Sequence, residues 1–534
     1  MLHLTFAYLP IVLLIYLMSK KHSMASSRAL PLCALVVYVV VLLVYRFDGT
    51  LVHATVVSGL LMALTPVSII AGAIFLFRTM EVSGALAIIR LWLNGISRNP
   101  IAQLMIIGWA FAFLIEGASG FGTPAAIAAP VLVSLGLPAL RVAMFCLVLN
   151  TIPVTFGAVG TPIWFGFSVI ELTALQLTDI AWQAALINAI AAPFVVFAGL
   201  ALVIKNKQEL LSNAVFILLS VCSCTFPYLI ISQYSNEFPS LIGGMVGLII
   251  TIILAKQNIG LQTLDNANVS VQKERPVRPA ALVKATFPLW ATVLVLIVTR
   301  IQQLGLKTVL QSADPAVLID LGYMGQFGIS ASLVLTLKDI FDTTQSWQHS
   351  LLYVPSILPF MIVGVLTLYL HRCQALASVS RYTISKIAGP FWALLGALVF
   401  VNLMMLQDSD TSEPMSPVTI LGNHLASLTG SHWDFFAPFL GALGSFFSGS
   451  ATISNLTFAG IQLSIAEQLG LSVTSVLAMQ SVGAAMGNMV CINNIVAVTS
   501  ILGLTNQDGV ILKRTAGIML LYGCLAGLVG VYML

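Results

Sequence analysis

Long apolar runs separated by short polar loops fill most of the chain. A helix that crosses a bilayer needs about 20 consecutive, mainly apolar residues, with a range of roughly 17–25. By that measure twelve spans are predicted: 2–18, 29–46, 54–77, 141–167, 181–204, 213–232, 238–255, 285–301, 351–370, 388–406, 475–502 and 515–534. Two further stretches, 101–138 and 434–470, are apolar but interrupted. The first holds Glu116, Gly117, Gly120, Gly122 and Pro124, and the second holds the run Ser448-Gly449-Ser450-Ala451-Thr452-Ile453-Ser454-Asn455. Lipid gives a bare peptide group no partner, so broken backbone at that depth must be buried in protein or line a wet cavity. Both stretches are therefore predicted to be re-entrant helical hairpins.

Composition agrees with this pattern. Hydrophobic residues make up 59% and charged residues 8% of the chain, against about 25% charged in a typical globular protein. The expected fold class is an all-α integral membrane protein with about twelve transmembrane helices and two hairpins. The net charge of +4 gives no reason to expect a nucleic-acid partner. Position matters more than the sum, because cytoplasmic loops collect Lys and Arg. With the N-terminus outside, all Lys and Arg except Arg46, Arg141, Arg300, Lys307 and Lys338 fall on the inner side, while the predicted outer loop 408–434 has Asp408, Asp410, Glu413 and Asp434 and no Lys or Arg. Both termini are thereby expected on the non-cytoplasmic face. Lys20 and Lys21 follow the first apolar run instead of preceding it, the reverse of a secretory signal. The seven cysteines show neither metal-ligand spacing nor a paired pattern; Cys222 and Cys224 read as packing.

The spans keep this orientation only if each hairpin enters and leaves on one side, the first from the cytoplasm and the second from outside. The two are then inverted relative to each other. A repeat supports this: Gly117 and Gly449 each precede a Leu-Gly-Leu, at 135–137 and 469–471. An interrupted helix follows each, with Asn150, Pro153, Gly157, Gly160 and Pro162 in the first and Gly483, Gly487, Asn488, Asn493 and Asn494 in the second. Paired interrupted helices in two halves point to a transporter binding site. The expected organisation is N-terminal scaffold helices in 1–99 and a first repeat unit in 100–204. Middle scaffold helices occupy 205–384, with a cytoplasmic linker at 257–280 and an outer loop with a partial helix at 302–350. A second repeat unit fills 385–534. Residues 87–96 suit an interfacial helix.

Glu116 is the one acid placed within the hydrocarbon layer, which makes it a candidate proton carrier; capping the broken backbone is the alternative. The candidate substrate contacts are Ser119, Gly120, Gly122 and Thr123 at one tip and Ser450, Thr452, Ser454 and Asn455 at the other. Asn150, Thr151, Asn488, Asn493 and Asn494 would complete the site from the interrupted helices. Exposed peptide N–H groups and half-helix N-termini attract an anion such as a carboxylate. Close packing of small residues is the competing explanation. Arg141 is expected to reach for the inner surface, or else to pair with Glu116 or substrate. His424 and His432 fall in the outer loop and are expected to be solvated. There is no G-x-x-x-x-G-K-[ST] loop and no HExxH, so no cofactor, metal or ATP hydrolysis is expected, nor an enzyme. An ion gradient, of H+ or Na+, or the substrate's own gradient would drive transport.

The motif from Phe113 to Pro124, with Glu116-Gly117-Ala118-Ser119-Gly120-Phe121-Gly122-Thr123-Pro124, resembles a signature of the L-lactate permeases. So do Asn150-Thr151-x-Pro153-Val154-x-Phe156-Gly157-Ala158-x-Gly160 and, more loosely, Gly449-Ser450-x-Thr452-x-Ser454-Asn455. The resemblance covers most of the chain. It implies a proton-coupled carrier of lactate, glycolate or a related short 2-hydroxy monocarboxylate in the bacterial inner membrane. Wider similarity to hairpin-containing carriers implies a mobile transport domain on a static scaffold, often as a homodimer. The chain departs from the family pattern at Ala451, where an acid is common, and at Asn488, where a lysine is common. That departure leaves a sodium-coupled carrier of another organic anion as the alternative.

Overall fold

The structure, a computed structural model, describes residues 2–19, 24–97, 99–120, 123–262, 277–300, 304–407, 415–504 and 507–533. Among these, ten helices are long and apolar enough to cross a membrane, or eleven if the bent pair Ala139–Val154 and Gly157–Trp164 counts as one span. Nine of the twelve predicted spans are among the ten, and that bent pair is another. The other two, 2–18 and 351–370, appear as the shorter apolar helices Leu2–Met18 and Ile357–Leu370. The tenth long helix, Pro100–Ser119, is the first arm of the first hairpin. Lys20, Lys21, Arg98, Lys273, Arg275, Asp408, Asp410, Glu413 and most of the 257–280 linker lie outside the described residues.

The chain divides into two compact units. One comprises Met1–Ser83, Phe287–Gly430 and Ala459–Leu469; the other comprises Gly84–Thr286, Ser431–Phe458 and Gly470–Leu534. In the first unit the helix Leu376–Met404 packs against Ser26–Leu43 and Gly49–Met62. Small residues set these approaches, since a Cβ on Gly59 would lie 3.1 Å from the Val399 Cα. This is the usual way apolar helices meet where lipid removes the hydrophobic drive to associate. His424, expected to be solvated, is instead partly buried and bonded through Nδ1 to the Tyr8 hydroxyl at 2.9 Å. His432 is exposed.

The segment 302–350 corrects the sequence reading. Its partial helix is present at Leu306–Gln311, but most of the rest is a four-stranded antiparallel sheet in sequential order. The strands are Pro315–Asp320, Gln326–Ser330, Val334–Lys338 and Trp347–Ser350. Val334 and Thr336 are buried while Leu335 and Leu337 on the other face are half-buried, the period of two expected of a half-buried strand.

The second unit contains both hairpins. The first runs through Pro100–Ser119, turns, and returns as Thr123–Ser134. The second runs Trp433–Ser448 and returns as Ala451–Leu469, of which residues up to Phe458 belong to this unit. Each first arm rests backbone to backbone on a helix. A Cβ on Gly117 would lie 2.5 Å from the Leu241 nitrogen in Pro239–Lys256, and one on Gly483 would overlap the Pro438 carbonyl. Inserting volume into such a contact costs about 1–3 kcal/mol. Gly483→Ala is therefore expected to lower the melting temperature of the purified protein. Gly517→Ala, in Asp508–Met533 with nothing within 4 Å, should leave it unchanged or raise it, since Ala is the better helix former. Equal melting of the two variants would contradict this packing.

Of residues 87–96, those up to Asn94 fall on the helix Ala85–Asn94, which buries Leu86, Ile89 and Leu93 and exposes Leu91.

Candidate functional site

Both tips break at glycines in the left-handed region. The first arm of hairpin one ends at Gly120, with φ 62°, and that of hairpin two at Gly449, with φ 72°. Only Gly adopts such angles without strain. The structural counterpart of Gly449 is thus Gly120 and not Gly117, which is helical and serves packing. Ser450 opens the returning helix, its Oγ accepting the Ile453 N–H at 3.3 Å. Ser448 steadies the turn by accepting the Ser450 N–H at 3.2 Å.

The interrupted helices lie alongside. The first stops after Val154 and bends by 55° before Gly157–Trp164. Ala158, Val159 and Gly160 have φ of 45°, 57° and 69°. For a β-branched residue such as Val159 this conformation is strained by about 1–3 kcal/mol. Side chains take up the freed carbonyls: Trp164 Nε1 donates to Val159 O at 2.9 Å, Asn455 Nδ2 to Pro162 O at 2.8 Å, and Ser240 Oγ to Pro153 O at 2.7 Å. A buried polar group behind the break joins Asn188 Nδ2 to Thr155 Oγ1 (2.8 Å) and Tyr228 (2.7 Å), with Tyr522 donating to Asn188 Oδ1. The second helix stops at Gly487, passes through a turn at Asn488–Val490 and an extended Cys491, and restarts as Ile492–Ile501.

The two tips and the two breaks enclose a cavity lined by Glu116, Gly120, Val154, Gly157, Ala158, Pro162, Gly449, Ser450, Ala451, Thr452 and Asn488. The space open to the centre of a water-sized sphere is about 20 Å³, room for a water or two. A three-carbon acid does not fit without the cavity widening. Glu116 is 2% exposed, and its Oε2 accepts the Asn150 Nδ2 hydrogen at 3.0 Å. Among the described residues, no Lys, Arg or His lines the cavity. Arg141 does not approach Glu116; its Nη1 donates to Val203 O at 3.3 Å. Among the described residues, no group of three or more His, Cys, Asp or Glu could hold a metal ion.

Of the sequence candidates, Glu116, Gly120, Ser450, Thr452 and Asn488 meet at this cavity. Asn150 stands behind it, holding Glu116. Ser119 and Thr151 turn their hydroxyls back onto Ile115 O and Val148 O. Ser454 bonds Gly441 O at 2.6 Å and Asn455 bonds Pro162 O, so both tie helices together. Asn494 donates to Asn488 Oδ1 at 2.9 Å and Asn493 is exposed. Gly122 and the Thr123 side chain lie outside the described residues. Gly157 and Ala158 were not among the candidates. Their signal was the Gly157-Ala158-Val159-Gly160 run itself, where a missing side chain is what admits the carboxylate: a Cβ on Gly157 would lie 2.5 Å from Glu116 Oε1. Ala451 and Asn488, the two departures from the family pattern, face the same cavity.

Asn455→Leu should leave Pro162 O without its buried donor, which costs about 1–3 kcal/mol. The expected result is a lower melting temperature, and an unchanged one would show that Asn455 is free for another role.

The comparisons with known proteins agree along the whole length. A Haemophilus influenzae protein named "Putative L-lactate permease" is 47% identical over 535 residues, covering 99% of this chain and 98% of its own. The L-lactate permeases of Salmonella typhi and Bacillus subtilis are each 25% identical, covering 98% and 95% of this chain and 94% and 92% of theirs. Among solved structures the similarity is looser: the Alcanivorax borkumensis YdaH transporter covers 89% of this chain and 87% of its own, with a TM-score of 0.40 and 15% identity. The family model described as L-lactate permease matches residues 4–534, and the chain belongs to that family.

Proposed function

We propose that the protein is a secondary transporter that carries L-lactate, or a close 2-hydroxy monocarboxylate such as glycolate or D-lactate, together with a proton across the bacterial inner membrane. The supporting observation is the cavity, which sets Glu116 beside peptide groups and hydroxyls and, among the described residues, has no cation in its lining. The helix Ala451–Leu469 starts at its wall, and the N-terminus of a helix carries about half a positive charge. Ser450, Thr452 and Asn488 add hydrogen-bond donors for carboxylate and hydroxyl oxygens.

The electrostatics link anion to proton. An ionised Glu116 about 4 Å from a bound carboxylate would repel it by about 4 kcal/mol at an effective dielectric of about 20. That is close to a thousandfold in affinity, since each 1.4 kcal/mol is tenfold. A protonated Glu116 removes the penalty, so the anion and the proton are held together or not at all. The unit that holds both tips carries the substrate in this reading, and the other serves as scaffold.

The test is uptake of labelled lactate in proteoliposomes with an imposed pH gradient, repeated with Na+ replaced by choline at fixed pH. Accumulation that follows the pH gradient and ignores choline replacement is expected. Accumulation that requires Na+ would instead establish the sodium-coupled carrier. Competition by glycolate, D-lactate, pyruvate and dicarboxylates sets the substrate range.

A further inference from the structure

The environment of Glu116 poses a question that proton carriage alone does not answer: what holds its proton. Among the described residues the carboxyl has one hydrogen-bond donor, Asn150 Nδ2 at 3.0 Å. The other end of that amide, Asn150 Oδ1, is buried and without a partner among the described residues, and Asn150 as a whole is 6% exposed. Buried acceptors are seldom left unpaired, because an unpaired one loses its water without gaining a partner. The elements packed on the Glu116 helix are residues 104–111, Thr123–Ser134, Thr151–Val154, Gly157–Trp164 and Pro239–Lys256. They bring no Asp, Glu, His or Arg toward it, and the single Lys256 lies at the end of its helix remote from Leu241, which meets Gly117.

We infer that Asn150 is the two-way partner of Glu116, donating through Nδ2 to the ionised carboxylate and accepting the carboxylic acid proton through Oδ1. Asn150 is thus a positioning residue for the proton, and the inference rests on Glu116 being the proton site. The exchange needs only a half-turn of the amide about its terminal bond, a broad two-fold torsion. A carboxylate only accepts and a carboxylic acid also donates, while a primary amide does both. In either orientation one half of the amide is paired and the other is not. The two protonation states therefore leave the same number of unpaired groups, which suits a carboxyl that must load and unload in every cycle. An apolar partner would serve neither state, and a lysine would hold only the ionised one. The proton comes from water on the loading side, forms the Glu116 O–H, and leaves to water on the other side.

The experiment is infrared difference spectroscopy of the purified full-length protein in lipid, between low and high pH and without substrate. The carboxyl C=O band of protonated Glu116 is assigned by its loss in Glu116→Gln. In the near-isosteric Asn150→Leu it should move to the higher frequency of a carboxyl with no hydrogen-bond partner. Should Asn150→Leu fail to fold, Asn150→Ser, which keeps a hydroxyl donor and acceptor, should give an intermediate frequency. An assigned band left unshifted in both variants would overturn the pairing. Absence of any band sensitive to Glu116→Gln would overturn the proton site on which it rests. Since no substrate is present, a failure to transport lactate leaves this readout unaffected.

Discussion

Glu116→Gln is expected to let labelled lactate equilibrate across proteoliposomes but not accumulate when the interior is alkaline. With one proton carried per lactate, the wild-type protein can build about a tenfold concentration ratio for each pH unit of gradient, because one pH unit is worth about 1.36 kcal/mol. Gln has nearly the shape of Glu and offers Asn150 an oxygen in the position of Oε2. The cavity then stays neutral, as in the protonated state, and the anion is expected still to bind through Ser450, Thr452 and the start of Ala451–Leu469, which line it. What is lost is the dependence of binding on the proton. The accumulation ratio should fall to about one while exchange of inside for outside lactate continues. Transport should also begin to move net charge, since the anion now crosses alone. In the wild-type protein, lactate binding should weaken with rising pH once Glu116 ionises, by up to about tenfold per unit, and in the variant it should not. A variant that retained full accumulation would remove Glu116 from the coupling and would send the search to other buried groups.

That this residue could be singled out from the sequence follows from the solvent. Lipid satisfies neither a charge nor an open peptide group, so Glu116 and the runs Gly120–Pro124 and Ser448–Asn455 stand out in any apolar chain. The interrupted helices were legible for the same reason, through Pro153, Pro162 and Asn488. What each polar group does was less legible. Ser454, Asn455 and Asn488 look alike in sequence, yet two of them bind helices together and one lines the cavity. Hydrogen-bond partners decide this, and they come from distant segments. Gly117 and Gly120 were equally hard to tell apart, because a glycine used for close packing and one used for a left-handed turn carry the same letter. The sheet within 302–350 was missed because its strands are only four to six residues long and lie among charges. Its one local signal was the alternation Leu335-Thr336-Leu337-Lys338, and the structure buries the Val334 and Thr336 face instead.

Gly157 contributes by lacking a side chain, and Gly157→Ala should disable transport while sparing the fold. The added Cβ would sit 2.5 Å from Glu116 Oε1, closer than a carbon and an oxygen can approach. The obstacle is the far end of a flexible side chain, so the carboxyl gives way and the backbone does not. Its movement breaks the 3.0 Å bond from Asn150. A hydrogen bond to a charged group is worth about 1.5–3 kcal/mol, roughly a ten- to hundredfold loss in the population of correctly placed carboxyl. Lactate uptake should fall by that order, while the protein still folds and reaches the membrane, its melting temperature lowered by no more than the loss of that one bond. Gly136→Ala is the control. Gly136 has φ 89° but nothing within 4 Å of its would-be Cβ, so Ala there adds backbone strain of about 1–2 kcal/mol and nothing at the cavity. It should lower the melting temperature and keep the uptake rate of the folded protein. Reversal of the two phenotypes, with Gly157→Ala transporting normally, would mean that the carboxyl does not work from the position it occupies here.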